Sequence, residues 1–162
     1  MTNILVPTDY SIESLSIISS VVKRFENQKI NIVLFHALEM PADIQDLLFL
    51  PKEVPFEKIT EDLRQACVKI KKKYAGVISQ IKFRHIYGDT NGVFRNFIEA
   101  NDVDIIYMPE HFELRKAYKN SVDPRPMFKK AGIPFITDYQ QNVVDTQERL
   151  VPSFQPAGLA QA

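Results

Sequence analysis

The sequence predicts one α/β domain built on a doubly wound parallel sheet of five strands, in the order 3-2-1-4-5, with helices on both faces. Short aliphatic runs alternate along the chain with longer segments in which apolar residues recur at helical spacing. The aliphatic runs are almost continuously apolar, as in strands that helices cover on both sides. Right-handed crossovers between such strands produce an open sheet of this kind.

The first part of the chain gives the pattern strand, helix, strand. Residues 3–7 form the first predicted strand, and Ser11 is placed to cap the helix that follows. That helix carries an apolar stripe for the core: Leu15, Ile18, Val22 and Phe25. Residues 29–37 give the second strand. The prolines of segment 39–55 then predict a long irregular connection, with one helical turn near residues 43–49.

The middle of the chain predicts a long helix, a strand and a third helix. The long helix has its own apolar stripe: Ile59, Leu63, Ala66, Ile70 and Tyr74. Residues 79–87 alternate apolar and polar side chains and predict the third strand. Thr90 then caps a helix. The inward residues of this third helix are Phe94, Phe97 and Ile98.

The last part of the domain predicts two strands joined by a short helix. Residues 103–109 form a buried strand. The helix follows near residues 124–131, with Asp123 as its cap and Pro124 in its first position. Residues 132–139 form the fifth strand.

Length and charge limit the function classes. A chain of 162 residues favours one domain, which we place at residues 1–139, followed by a C-terminal extension at 140–162. Twenty basic and twenty acidic side chains cancel, so nothing indicates a nucleic-acid or membrane partner. No apolar run is long enough for a membrane span. The single cysteine, Cys67, suits a reducing cytoplasm.

The extension mixes apolar residues with turn-forming ones. Its apolar residues are Val143, Val144, Leu150, Val151 and Phe154. Terminal segments are normally ordered only when something holds them. We therefore expect residues 140–162 to cover apolar surface near the last strand, on the same chain or on a partner.

Ligands of doubly wound sheets bind at the carboxyl ends of the strands, where the strand order reverses. In this chain that point is predicted where "PTDYS" meets "MPEHFEL". The candidate ligand-binding residues from these stretches are Pro7, Thr8, Asp9, Met108, Pro109 and His111. Asp9 has two interpretations. It either holds a ligand, or it accepts N–H groups in the loop before the first helix.

Two histidines are weaker candidates. His36 ends the second strand, where a hydrogen-bonded structural histidine is the favoured interpretation. His111 lies between Glu110 and Glu113, but without a second histidine or cysteine nearby it makes a poor metal site. No Ser-His-Asp or Cys-His arrangement is visible, because spacing along the chain does not report proximity in space. No catalytic or metal-binding residue is therefore predicted.

Five stretches together resemble the universal stress protein family. They are "NILVPTDYS", "IVLFHALEMP", "YGD", "DVDIIYMP" and "AGIPFI", and the resemblance covers roughly residues 2–138. It implies the five-stranded α/β fold, homodimers and, in many members, ATP binding. It also implies that Asp9 lies near the adenine and ribose, and that Gly88 and Asp89 match the family's Gly-Asp after the third strand.

The phosphate-binding part departs from the family pattern. The two glycines expected after the fourth strand fall on Pro109 and Phe112, and the Gly-Ser pair aligns with Asn120 and Ser121 after seven intervening residues instead of nine. A proline has no N–H for a phosphate oxygen, and the phenylalanine ring obstructs close approach of the backbone. Glu110 adds negative charge beside them. ATP binding is therefore disfavoured, and no cofactor is predicted.

The sequence thus favours a cytoplasmic homodimer that serves a stress response or signalling without turnover. Its two subunits are expected to pair through the strand at 133–138. Two alternatives stay open. The first is a small-molecule or adenine-nucleotide binder that uses the crevice near Asp9. The second is a weak ATPase or nucleotide hydrolase, against which the presence of only five glycines counts.

Overall fold

The computed structural model describes residues 1–43, 45, 48 and 58–137. Its centre is a five-stranded sheet in the order 3-2-1-4-5, in which neighbouring strands are parallel. The strands are β1 (Thr2–Pro7), β2 (Ile30–Leu38), β3 (Ile78–Tyr87), β4 (Ile105–Tyr107) and β5 (Phe135–Ile136). The predicted fold class and strand order are confirmed.

Helices cover both faces of the sheet, as predicted. They are α1 (Ser16–Arg24), α2 (Glu61–Lys73), α3 (Asn91–Ala100) and α4 (Arg125–Lys129). Ile4 and Val6 of β1 pack with α1 and α2, whereas Leu5 between them packs with α3 and α4. Successive side chains of a strand point to opposite faces. The continuous apolar run of β1 therefore fills the core on both sides of the sheet.

The α3 and α4 side of the core is rich in aromatic rings. The ring centroid of Phe35 lies 5.0 Å from that of Phe97 and 5.4 Å from that of Phe94, and Phe128 of α4 completes the group. The stripe predicted for the third helix is therefore confirmed. The stripe predicted for the first helix is buried as well: Leu15, Ile18, Val22 and Phe25. In the second helix Leu63 is fully buried and the rest of the stripe is partly buried.

The first α-helix begins later than predicted. The hydroxyl of Ser11 accepts the N–H of Ser14 at 3.1 Å, as a capping residue would. The turn that follows, Glu13–Leu15, is a 3-10 helix, and the α-helix begins only at Ser16. The hydroxyl of Ser14 also lies 3.0 Å from that of Thr8. This contact ties the tight turn to the end of β1.

The fourth strand is shorter than predicted, with Ile105–Tyr107 in place of 103–109. The N–H of Val103 donates to the carbonyl of Ile98 at the end of α3, so Val103 belongs to the turn before the strand. Pro109 has no N–H with which to continue the ladder beyond the other end.

The fifth strand is also shorter, with Phe135–Ile136 in place of 132–139; residues 138 and 139 lie outside the described part of the chain. Gly132 has a positive φ of 82°, which belongs to a turn. Pro134 has no N–H to donate to β4. The ladder between β4 and β5 therefore begins only at residue 135.

The short helix spans Arg125–Lys129 in place of 124–131, and Asp123 is not its cap. Pro124 occupies the capping position. The Asp123 carboxylate instead accepts the N–H of Arg125, two residues on, at 3.1 Å. A side chain that binds the backbone in this way shapes a turn, so Asp123 orders the loop before the helix.

Two predictions fall wholly or mostly outside the described residues. The helical turn near residues 43–49 is described at 43, 45 and 48 alone, and the extension at 140–162 is not described. Among the helices in the described part of the chain, none is long and apolar enough to cross a lipid bilayer.

Candidate functional site

A cavity of about 520 Å³ opens at the carboxyl ends of the strands. Its floor comes from Thr8 after β1 and from Phe35, His36 and Ala37 near the end of β2. Its walls come from residues 110–125, which follow β4. Four of the predicted candidates line it: Thr8, His36, His111 and Ser121. The structure thus places a cavity near the point where the strand order reverses.

The other seven candidates are not among the described residues that line this cavity. Pro7, Met108 and Pro109 are buried at the ends of β1 and β4. Asn120 uses its carbonyl to accept the N–H of Glu39 at 2.8 Å. The burial of the first three and the main-chain bond of Asn120 give these four residues a structural role. The remaining three are Asp9, Gly88 and Asp89.

Gly88 and Asp89 shape the turn between β3 and α3. The N–H of Gly88 donates to the carbonyl of Leu38 at 2.7 Å, and its φ of 111° is one that residues with side chains rarely adopt. Asp89 is exposed. Thr90 then caps α3, as predicted, by accepting the N–H of Val93 at 3.2 Å.

Asp9 is nearly buried, with 8% of its surface exposed, and both of its carboxylate oxygens are used within the chain. Oδ1 accepts the N–H of Ser11 at 3.0 Å and also the Ser11 hydroxyl. Oδ2 accepts the N–H of Arg115 at 2.8 Å. Burial by itself would raise the pKa of Asp9, but these hydrogen bonds outweigh it and hold the pKa below its usual value. Asp9 therefore links the loop after β1 to the segment after β4.

The loop around Asp9 holds a strained residue. Tyr10 has a positive φ of 64°, which costs a residue with a side chain about 1–2 kcal/mol. Its N–H is accepted by the Thr8 hydroxyl at 3.0 Å, and its ring lies 4.9 Å from that of His36. The contacts of Asp9, Thr8 and His36 together stabilise this conformation.

The segment after β4 is anchored along its length. The guanidinium of Arg125 donates to the carbonyl of Phe112 and, at 3.4 Å, to that of Glu110. The ring of Phe112 packs against the apolar cluster on the α1 and α2 side. Ser121 forms an antiparallel bridge with Leu38 of β2. The segment therefore crosses the strand ends and folds back onto the sheet.

A chain of buried hydrogen bonds crosses the floor of the cavity. His36 Nδ1 lies 2.8 Å from the carbonyl of Thr8, and Nε2 lies 2.8 Å from the hydroxyl of Ser121. A carbonyl only accepts, so Nδ1 donates to Thr8. Burial lowers the pKa of His36, which keeps the ring neutral near neutral pH, and Nε2 then accepts from Ser121. The expected structural histidine is present, with both ring nitrogens partnered.

The Ser121 and His36 pair resembles a nucleophile and its base, but its surroundings do not suit acyl transfer. The N–H of Ser121 donates to Tyr118 and that of Val122 donates to Ala37. These two N–H groups are therefore not free to stabilise an oxyanion. Within the part of the chain that the structure describes, no three His, Cys, Asp or Glu side chains are placed to hold a metal ion.

Two contacts of the site were not predicted. Arg115 meets Asp9 through its main-chain N–H, 106 residues away in sequence, and a main-chain donor carries no signal in residue type. The proximity of Ser121 to His36 was likewise invisible, because it depends on the path of the intervening chain.

Comparison with known proteins gives structural relatives and no sequence relative. No protein-family model matches the sequence, and no curated protein matches it. The crystal structure of hypothetical protein PH0823 superposes with a TM-score of 0.53 at 17% identity, over 85% of this chain and 95% of that chain. At this identity the likeness shows the fold, and the fold implied by the resemblance of the sequence is confirmed.

Two further solved structures are similar at lower scores. A protein from the universal stress protein family of Burkholderia pseudomallei has a TM-score of 0.46 at 11% identity, over 85% of this chain and 95% of that chain. A universal stress protein family protein from Arabidopsis thaliana, solved with AMP bound, has a TM-score of 0.46 at 15% identity, over 90% of this chain and 97% of that chain.

The depressed pKa of Asp9 predicts how stability depends on pH. Its carboxylate contributes stability that is present above the unfolded-state pKa of about 3.9 and is lost as pH falls through the lower folded-state pKa. The free energy of unfolding should therefore be higher for wild type than for Asp9→Asn. This difference should be largest at about pH 7 and should shrink below about pH 4. Urea titrations at a series of pH values measure this.

The control for this experiment is Asp89→Asn, which replaces an exposed carboxylate and keeps the Asp9 contacts. The acid-linked loss that comes from His36 cancels between wild type and Asp89→Asn, whereas Asp9→Asn also removes the Asp9 charge that raises the pKa of His36. A gap between wild type and Asp9→Asn that stays constant from neutral to acidic pH would contradict the assignment.

The bond from Arg115 to Asp9 can be tested through the main chain. Arg115→Pro removes the N–H, whereas Arg115→Ala keeps it. Both variants lose the exposed ion pair with Glu13 and the positive charge near Asp9, so these losses cancel between them. Arg115→Pro should lower the free energy of unfolding by about 1.5–3 kcal/mol more than Arg115→Ala, because a hydrogen bond to a charged, nearly buried group is lost.

Proline also restricts the backbone, so both substitutions are repeated in an Asp9→Ala background. In that background the proline should lower the free energy of unfolding only through its restriction of the backbone. The difference between the effects of proline in the two backgrounds therefore gives the contribution of the hydrogen bond from Arg115 to Asp9. If Arg115→Pro lowers the free energy of unfolding equally with and without the Asp9 carboxylate, the hydrogen bond between Arg115 and Asp9 is wrongly assigned.

Proposed function

We propose that this chain is a universal-stress-type protein that acts as a homodimer in a stress response or in signalling, without turnover and without the family's mode of ATP binding. The observation that carries the proposal is the use of Asp9. Both oxygens of this carboxylate are occupied by donors of the chain itself, Ser11 and Arg115. A ligand hydroxyl would have to displace one of them.

The phosphate half of the site supports the same conclusion. Pro109 has no N–H to offer a phosphate oxygen, and the ring of Phe112 packs on the core. An N–H bond to a charged oxygen contributes about 1.5–3 kcal/mol. The loss of two such bonds weakens the binding of ATP by roughly 100-fold or more. Glu110 lies on the cavity wall and would repel a triphosphate.

The polar chain across the cavity floor supports binding over turnover. The hydroxyl of Ser121 is engaged by His36 and also accepts the N–H of Tyr118 at 2.9 Å. Since the N–H groups of Ser121 and Val122 are bonded to carbonyl oxygens, they are not available to an acyl-transfer intermediate. Hydrolysis of ATP requires donors that hold the phosphates, but Pro109 has no N–H and the N–H of Phe112 donates to the carbonyl of Pro109. A weak ATPase is therefore the least favoured of the functions considered.

The size and lining of the cavity favour a second candidate function, the binding of a small molecule of low net charge. A volume of about 520 Å³ lies within the usual range of small-molecule sites, about 300–1,000 Å³. The floor presents buried polar groups, and the charges of the wall balance. The acids are Glu110, Glu113 and Asp123, and the strong bases are Arg115, Lys116 and Arg125.

The homodimer rests on the β5 edge. Phe135 and Ile136 are both half-buried, and the carbonyls of Pro134 and Ile136 accept from β4. The main-chain groups of residues 135 and 137 therefore point away from the sheet. An exposed apolar edge is an aggregation hazard unless it is paired. Pairing with its symmetry mate closes the contact.

Calorimetry with ATP, AMP and adenosine on one sample tests the nucleotide part of the proposal. ATP should bind no more tightly than adenosine, and Mg²⁺ should not strengthen it, because the phosphate donors are missing. Asp9→Ala should change the melting temperature more than it changes any response to ATP. Micromolar binding of ATP that clearly exceeds that of adenosine would overturn this part of the proposal.

Light scattering tests the dimer. Wild type should have the mass of a dimer at micromolar concentration. Thr137→Pro removes an outward N–H of the edge without touching the bonds to β4, so it should shift the protein toward the monomer. Thr137→Ala keeps the N–H and should remain dimeric. A wild-type monomer, or a dimer that Thr137→Pro leaves unchanged, would contradict pairing at this edge.

A further inference from the structure

Helices α1 and α2 leave an apolar groove of about 410 Å³ between them. Ile12, Ile70 and Tyr74 are among its lining residues, and Ile12 is 51% exposed. Lys69 and Lys73 also line it, against one acid, Glu13, whose carboxylate is paired with Arg115 at 3.3 Å. An exposed apolar surface beside basic side chains suits an apolar segment that carries carboxylates.

The C-terminal segment 138–162 starts within reach of this groove. Ile106 pairs with both Leu5 of β1 and Phe135 of β5, so Thr137 lies level with Pro7. Two strand spacings, about 10 Å, separate the two. Ile12, on the groove, follows Pro7 by five residues. Ile136 packs on the apolar cluster of the α1 and α2 side, so the segment begins beside the face that carries the groove.

The segment combines apolar residues with carboxylates, which match the apolar lining and the lysines of the groove. It is 25 residues long, so at roughly 3.3 Å per residue even half of it spans far more than 10 Å. Its apolar residues are Val143, Val144, Leu150, Val151, Phe154 and Leu159. It carries three carboxylates, at Asp138, Asp145 and Glu148, against one base, Arg149. Its net charge is opposite to that of the lysines beside the groove.

We propose that residues 138–162 bind in the groove between α1 and α2 of their own chain. Apolar side chains of the segment lie against Ile12, Ile70 and Tyr74, and its carboxylates lie near Lys69 and Lys73. The inference is independent of the function proposed above, because none of the residues that line the groove lines the cavity.

Thiol labelling of the full-length chain tests the proposal. Cys67→Ala removes the native thiol, and Ser19→Cys places one in the groove. The rate of maleimide labelling is then compared between the native C-terminal segment and one that carries Leu150→Asp and Val151→Asp. The acidic substitutions should release the segment and speed labelling about tenfold or more, which corresponds to a docking free energy of about 1.4 kcal/mol.

The control thiol is Val68→Cys, at a position on α2 that is 45% exposed and outside the groove lining. Its labelling rate should be the same with both segments. Each thiol is compared only with itself, so differences in thiol pKa between the two positions cancel. Equal rates for Ser19→Cys with both segments would overturn the proposal. Protection that disappears on dilution would also overturn it, because the occupant would then be a second copy of the chain.

Discussion

The arrangement of this site depends on one carboxylate that accepts two main-chain N–H groups. In a sheet of order 3-2-1-4-5 the connections after β1 and β4 leave in opposite directions, which opens a crevice between them. Asp9 closes part of that crevice by binding Ser11 on one side and Arg115 on the other. Because the carboxylate is nearly buried, both hydrogen bonds form in a medium where they are strong and where an unpaired oxygen would be costly.

The other features of the site follow from this link. With Arg115 held, the chain from Glu110 to Ser121 must return across the strand ends, and Ser121 reaches β2 beside Leu38. That return places the Ser121 hydroxyl on His36, whose second nitrogen is bound by Thr8. The polar side chains of Thr8, His36 and Ser121 on the cavity lining each have a partner within the chain, so a ligand must fit the remaining space or displace one of these partners.

The two faces of the sheet differ in how completely their helices cover them. On the α3 and α4 side, Phe35, Phe94 and Phe128 form a closed aromatic core that packs against the sheet. The α1 and α2 side is less completely closed, since α2 buries only Leu63 fully and leaves an apolar groove beside α1. The loop after β1 contributes Thr8 to the cavity and Ile12 to the groove, and the strained residue Tyr10 lies between them in sequence.

The sequence by itself determined the fold, because the fold depends on local periodicity. Continuous aliphatic runs such as residues 3–7 predict doubly covered strands, and stripes such as that from Leu15 to Phe25 predict helices that cover them. The ends of β4 and β5 were predicted too long, because side-chain pattern does not show where a proline or a turn stops a ladder. Only the tertiary structure decided that Asp9 also binds Arg115, and which groups His36 and Arg125 bind. These partners are distant in sequence, and neither residue type nor spacing encodes which of them the fold brings within hydrogen-bond distance.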